Sequence, residues 1–341
     1  MKRHARGTGL GSERAPVLAG ALAVLARGPV VLAGALAVLT GGLAVPSAAA
    51  GTRTAAFAPV DPGVRAAAMG GAFSALGGQP SAMYWNPAAL FFQQGRSLEA
   101  SYSSLYGIGL AKRSQLTLGM KHTIDEPQFR GTRVVVRRDE TTGPAYGLGL
   151  QSLFVDLEED GYSELAVGAA AAWGYGYRVA AGLSVRGLFV SSDLDQVSAN
   201  GYDIGFGVAF RLSERERIGL AAPHLISRVF WDFDSTERLP FGVQAGWARM
   251  WGNGVTSTAE VELREGEDDP YRLAAGAEWW VFPERLALRG GYRRLAGGIE
   301  DVSQPTFGAG VRFSRLLLDY AFRLESEQLG DTHRIGLLLD F

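Results

Sequence analysis

The chain has 341 residues, no cysteine and a formal net charge of −2. Disulfide scaffolds, Cys-ligated zinc and thiol catalysis are excluded together, and so small a charge excludes a protein that coats nucleic acid through a basic excess. With 47% apolar residues and 46 glycines, about twice the usual glycine share, the composition favours many strands over a helical bundle or disorder.

Residues 1–50 differ in kind from the rest. Lys2, Arg3, Arg6 and Arg14 make a basic start, and no charge occurs between Arg27 and Arg53. That stretch holds the apolar run Val30 to Leu39, followed by Pro46, Ser47 and Ala48-Ala49-Ala50. Basic, apolar and small residues in that order predict a secretory signal peptide over 1–50. A membrane helix is the alternative, weakened by Gly34, Gly41, Gly42 and Pro46. Removing residues 1–50 would leave 28 basic and 34 acidic side chains, a net of −6. No later apolar run is long enough to cross a membrane as a helix.

Residues 51–96 do not alternate and are predicted to form an N-terminal plug. The sequence there includes Arg65, Met69-Gly70-Gly71, Phe73, and Tyr84-Trp85-Asn86-Pro87 among many alanines. Small residues and paired glycines permit close backbone approach, and Asn-Pro favours a turn.

From 97 to 341 the pattern alternates with period two. Tyr177, Val179, Ala181, Leu183, Val185 and Phe189 oppose Arg178, Gly182, Ser184 and Arg186. Similar splits occur over 202–211, 271–279 and 316–325. Successive strand side chains point to opposite faces, so each strand has one apolar face and one small or charged face. A soluble sandwich also alternates. However, runs of this length match tilted membrane strands, which need roughly 9–11 residues. Aromatics gather near strand ends, at Trp173, Tyr175, Trp247, Trp251, Trp279 and Trp280, where interfacial girdles lie. The expected fold is an all-β transmembrane antiparallel barrel of about fourteen strands, with 12 or 16 as alternatives and an uncertain stretch at 106–142. Tight connections alternate with longer polar ones; the short ones are expected on the periplasmic side. A lumen of that width exceeds what wall side chains fill, which gives the plug its purpose.

The polar phase carries Arg178, Arg186, Asp203, Arg211, Glu260, Glu262, Arg272, Glu278, Arg289, Arg293, Arg312, Asp319 and Arg323. A brace between wall and plug is the plain interpretation, and a solute lining of mixed sign the sharper one. In the segment Ile226 to Pro240, Phe230, Trp231 and Phe233 place three aromatics in a polar outer loop. They are candidates for contact with a partner, lipid or hydrophobic ligand. His4, His122, His224 and His333 show no metal-ligand spacing. Gly147-Leu148-Gly149 and Gly205-Phe206-Gly207 precede no helix and are strand glycines rather than phosphate loops. The reading is a non-enzyme without cofactor or metal, with outer-membrane lipid as its surroundings and no nucleic acid as partner.

The run Arg65 to Leu90 resembles the N-terminal motif of the PorV/PorQ family and, more distantly, the FadL family. Leu318-Asp319-Tyr320-Ala321-Phe322, Leu286 to Tyr292, and Leu329 to Ile335 extend the resemblance. Where those relatives carry an acidic pair, this chain has Gly77-Gly78-Gln79-Pro80. The resemblance to PorV implies a bacterial outer-membrane barrel that binds secreted protein cargo or gates a type IX-like secretion pathway. The resemblance to FadL implies, as the alternative, an uptake channel for fatty acids or other hydrophobic molecules. The last strand, Ile335, Leu337, Leu339 and terminal Phe341, is similar to the element read by the barrel-assembly machinery.

Overall fold

The computed structural model describes residues 61–341 except 108, 123, 131–132, 140–142, 158–159, 176–177, 194–196, 266–270, 297–301 and 326–329, and in addition 52–53 and 56–57. The predicted signal segment 1–50 lies outside the described residues. Among them, no helix is long and apolar enough to cross a membrane.

Fourteen antiparallel strands form the wall: β1 Arg96–Leu105, β2 Ala111–Lys121, β3 Ala145–Leu157, β4 Asp160–Tyr175, β5 Val179–Ser192, β6 Ser198–Arg211 and β7 Glu216–Trp231, followed by β8 Gly242–Met250, β9 Val255–Arg264, β10 Tyr271–Phe282, β11 Leu286–Ala296, β12 Val302–Phe313, β13 Leu316–Arg323 and β14 Thr332–Asp340. Each pairs with its neighbour in sequence. The sheet closes where β14 pairs with β1, from Asp340↔Ser97 to His333↔Ser104. Closure leaves no edge, which is the condition for a sheet to stand in a bilayer.

Alternation has a direct cause in this geometry. Leu148, Leu150, Val167, Val185, Leu273, Leu288, Leu318 and Ile335 point outward and are exposed. At alternate positions Gln151, Ala166, Ser184, Arg272, Arg289, Asp319 and Arg334 point inward and are buried. Apolar outside and polar inside is the inverse of a soluble domain and the rule for a membrane barrel.

The stretch 106–142 does contain a hairpin, Ile124–Arg130 paired with Arg133–Asp139. It forms a separate two-stranded sheet and adds nothing to the wall, because β2 pairs directly with β3 down to Lys121↔Ala145. Strand direction puts it at the end where the other connections are tight turns. The expected regular alternation of short and long links is therefore broken there, and again at the loop end, where only two residues join β3 to β4.

Two further short elements define the loop end. Thr236–Arg238 pairs with Val229 and Phe230 of β7, and Thr52–Arg53 pairs in parallel with Glu237 and Arg238. Residues 61–95 form α1 Val64–Ala68, α2 Ala82–Trp85 and a 3₁₀ turn Pro87–Phe92. Their contacts run from the loop-end halves of β11, β13 and β14 to the turn-end starts of β3 and β7. The segment thus threads the lumen before entering β1 at the turn end.

Candidate functional site

The lumen is filled by wall side chains that satisfy the backbone of residues 61–92. The Phe73 and Ser74 amides donate to Glu260 Oε2 at 3.1 and 2.8 Å, the Ser81 amide to Glu99 at 3.0 Å, and the Gly63 amide to Gln115 at 3.1 Å. Thr306 Oγ1 accepts from Gly70 N and donates to Ala68 O, both at 3.0 Å. Arg217 donates to Leu76 O at 2.7 Å, and Gln244 to Trp85 O. An irregular segment buries backbone groups that no ladder can pair; here the wall supplies their partners.

Three charge clusters tie this segment to the short-strand side of the wall. Arg65 pairs with Glu278 at 2.6 Å, and Arg289 bridges Glu278 at 2.7 Å and Asp319 at 2.6 Å. Arg272 holds Glu260 at 2.6 Å and Glu262 at 2.5 Å, and donates to Gly71 O. Asp61 accepts from Arg293 and from Arg323, each at 2.8 Å, while Arg334 donates to its carbonyl. Burial opposes ionisation of Asp61. Arg293, Arg323, Arg334 and Arg272 outweigh that effect and hold its carboxyl well below the usual carboxylate range. On the other side of the lumen, Arg186 donates through Nε to Asp203 at 2.9 Å, and His224 Nδ1 lies 3.2 Å from the same carboxylate.

Most of the sequence-selected residues fall within these clusters. Met69 and Phe73 are fully buried, and Tyr84 lies over Gly149. Trp85 donates to Pro62 O at 2.9 Å, and the Asn86 side chain links Ser74 O, Val208 O and Ala88 N. Pro87 opens the 3₁₀ turn. Arg211 faces inward onto Phe92. Arg178 is a correction: it sits in the turn before β5 and is exposed, because the strand has not yet begun there.

Inward glycines set how closely the segment approaches. A Cβ on Gly276 would meet Met69 O at 2.5 Å, and one on Gly291 would overlap Gly70 N. Gly182, Gly207 and Gly219 lie similarly against Ala88, Asn86 and Ser74. Gly290, one residue from Gly291 but facing outward, has nothing within 4 Å of its Cβ position.

The loop end of the lumen differs in chemistry from the charged side. The five longest strands, β3 to β7, are neighbours with 13–16 residues each. Their inner face carries an apolar cluster of Ala166, Leu188, Val190, Ala199 and Val229, closed by Leu239 and by Ala56 of the N-terminal segment. Phe57, Tyr162 and Trp231 rest on it, and Phe57 N and Tyr162 OH both donate to Glu164. On the outer face of the same wall, the exposed side chains of Phe154, Leu165 and Phe189 line an open, lipid-facing groove of about 460 Å³.

The aromatic loop also needs correcting. Phe230 and Trp231 belong to β7 rather than to a loop, because pairing with Asn200 and Ala199 carries the strand through them. Trp231 turns inward, donates to Glu237 at 2.8 Å and stacks on Phe233 at 5.6 Å. Phe230 faces outward beside Tyr202. Below them β7 bulges. Its register on β6 shifts between Ala222 and Ile226, and its pairing with β8 ends at Ala221. Pro223, His224 and Leu225 therefore have no ladder partner on either side.

Sequence reasoning missed Asp61, Glu99, Gln115, Thr306 and the apolar cluster. The polar phase marked wall residues as inward without distinguishing a carboxylate that brings in an arginine from one that holds plug backbone.

The sequence matches no family profile and no curated relative. Solved structures of similar fold include two toluene transporters and a FadL homologue. The Ralstonia pickettii toluene transporter TbuX shares 15% identity over 82% of this chain and 98% of its own, with a TM-score of 0.55. The P. putida toluene transporter TodX shares 11% over 83% and 99%, at 0.59. A Pseudomonas aeruginosa FadL homologue shares 14% over 86% and 100%, at 0.54.

Proposed function

We propose that this chain is an outer-membrane channel for hydrophobic small molecules, with its loop end facing outward and capture at the apolar cluster of β4 to β7. The observation that carries this reading is the division of the lumen. Its charged side is consumed in ion pairs and in holding residues 61–92, while the loop end of β4 to β7 offers a buried apolar surface. Likeness to proteins described as toluene transporters supports the same substrate class. Among the described residues, 61–92 pack across the lumen, so a captured molecule passes either by displacement of that segment or through the unpaired bulge at Pro223–Leu225.

The named structural neighbours include no secretion component, so the PorV-like cargo role does not lead. Phe341 is exposed at the end of the closing strand, and its recognition by the assembly machinery remains part of the proposal.

Toluene uptake by reconstituted vesicles tests the reading. Leu188→Asn places a polar group in the cluster and is expected to lower uptake several-fold while the folded, heat-modifiable form persists. Unchanged uptake in that variant, or none in the wild type, would overturn it.

A further inference from the structure

The turn end of the lumen holds a pair of arginines whose arrangement the wall and the filled lumen leave uncompensated. Arg211 closes β6 and Arg217 opens β7, and they are direct cross-strand partners in the antiparallel ladder. Both belong to the inward phase, as Ala209 and Gly219 beside them show by their burial against the lumen segment. Like charges directly opposite one another are destabilising, and the three arginine clusters described above are answered by carboxylates. Among the described residues neither Arg211 nor Arg217 has a carboxylate in ion-pair range, whereas nearby Arg249 has Glu216 at 2.9 Å and Arg312 has Asp340 at 2.7 Å.

Both guanidinium groups lie over one ring, Phe92, with Arg211 at 5.4 Å and Arg217 at 4.1 Å from its centroid. Arg217 spends one Nη on Leu76 O. The Nε of each arginine is buried without an acceptor, and an unmet buried donor costs as much as a lost hydrogen bond.

We infer that Arg211, Arg217 and Phe92 form an anion site at the turn end of the lumen, and that its ligand is a phosphate group. Two uncompensated positive charges call for a dianion. A phosphate monoester supplies both the charge and enough oxygens for two guanidinium forks, whereas a carboxylate would leave one charge unanswered. The apolar ring between the forks suits either a phosphate-bearing lipid head or the free ion, and the two sources are separable by experiment. The site does not depend on the hydrocarbon reading, since binding is measured without transport.

The test uses the full chain in neutral detergent and phosphate-free buffer, titrated calorimetrically with inorganic phosphate and with dioctanoyl phosphatidic acid. At least one is expected to bind at one per chain. The double variant R211Q/R217Q should weaken it tenfold or more, while R312Q at a compensated position should leave it unchanged. Phosphatidic acid alone binding would assign a lipid head, and equal binding of both would assign the free ion; each supports the site. Should the double variant fail to fold, R211K retains the charge but loses the fork, and is expected to bind measurably more weakly. No binding of either probe to the folded wild type would overturn the proposal. So would full affinity in the folded double variant or, where that variant does not fold, in R211K.

Discussion

Asp61 is the residue on which the greatest number of buried charges converge. Its carboxylate answers Arg293 and Arg323, and its carbonyl receives Arg334. Breaking a buried ion pair by removing one partner costs about 3–5 kcal/mol, because the remaining charge is left buried. Asp61→Asn should therefore destabilise the folded barrel by that order, read as a lower denaturation midpoint, and open residues 61–95 to protease; an unchanged midpoint would show that the arginines find other partners. The pH dependence has a definite sign. The folded carboxyl ionises well below its ordinary value of 3.8, so its stabilisation is complete above about that pH. It is lost only as the pH falls from there toward the lowered folded value. Between neutrality and pH 5, wild type and Asp61→Asn should differ by a constant amount.

At the scale of elements, fit between wall and lumen segment rests on bare glycine positions. Gly291→Val should drive a side chain into Gly70 and displace α1, whereas Gly290→Val next to it should be silent. Ion conductance in planar bilayers separates them: the first is expected to raise it, the second not, and equal behaviour would refute the arrangement. This contrast marks what sequence alone could show. Strand phase was legible because lipid on one side and a polar lumen on the other impose period two on every wall strand. Whether the hairpin Ile124–Arg130/Arg133–Asp139 within the uncertain stretch 106–142 joins the wall was not, since nothing in a pairing pattern decides it. Phe230 and Trp231 read as loop because polar residues follow them closely, although the ladder continues through both. The segment's motif was legible as small residues needing close approach. Its partners were not, because Glu99 and Glu260 hold backbone amides, and no spacing encodes an amide as the partner of a distant carboxylate.

At the scale of the whole molecule, the barrel combines a charged, occupied side with an apolar loop-end face on its longest strands. The wall alone would leave a wide lumen; residues 61–92 remove it. The central claim is therefore that the folded barrel is closed to ions although it spans the bilayer. Single-channel recording of the wild-type chain in a planar bilayer tests this most directly. Near-silent traces are expected from the wild type, and steady conductance once residues 61–92 are deleted. A large, stable conductance from the intact chain would contradict it, because water and ions would then be crossing a lumen that the structure shows as filled.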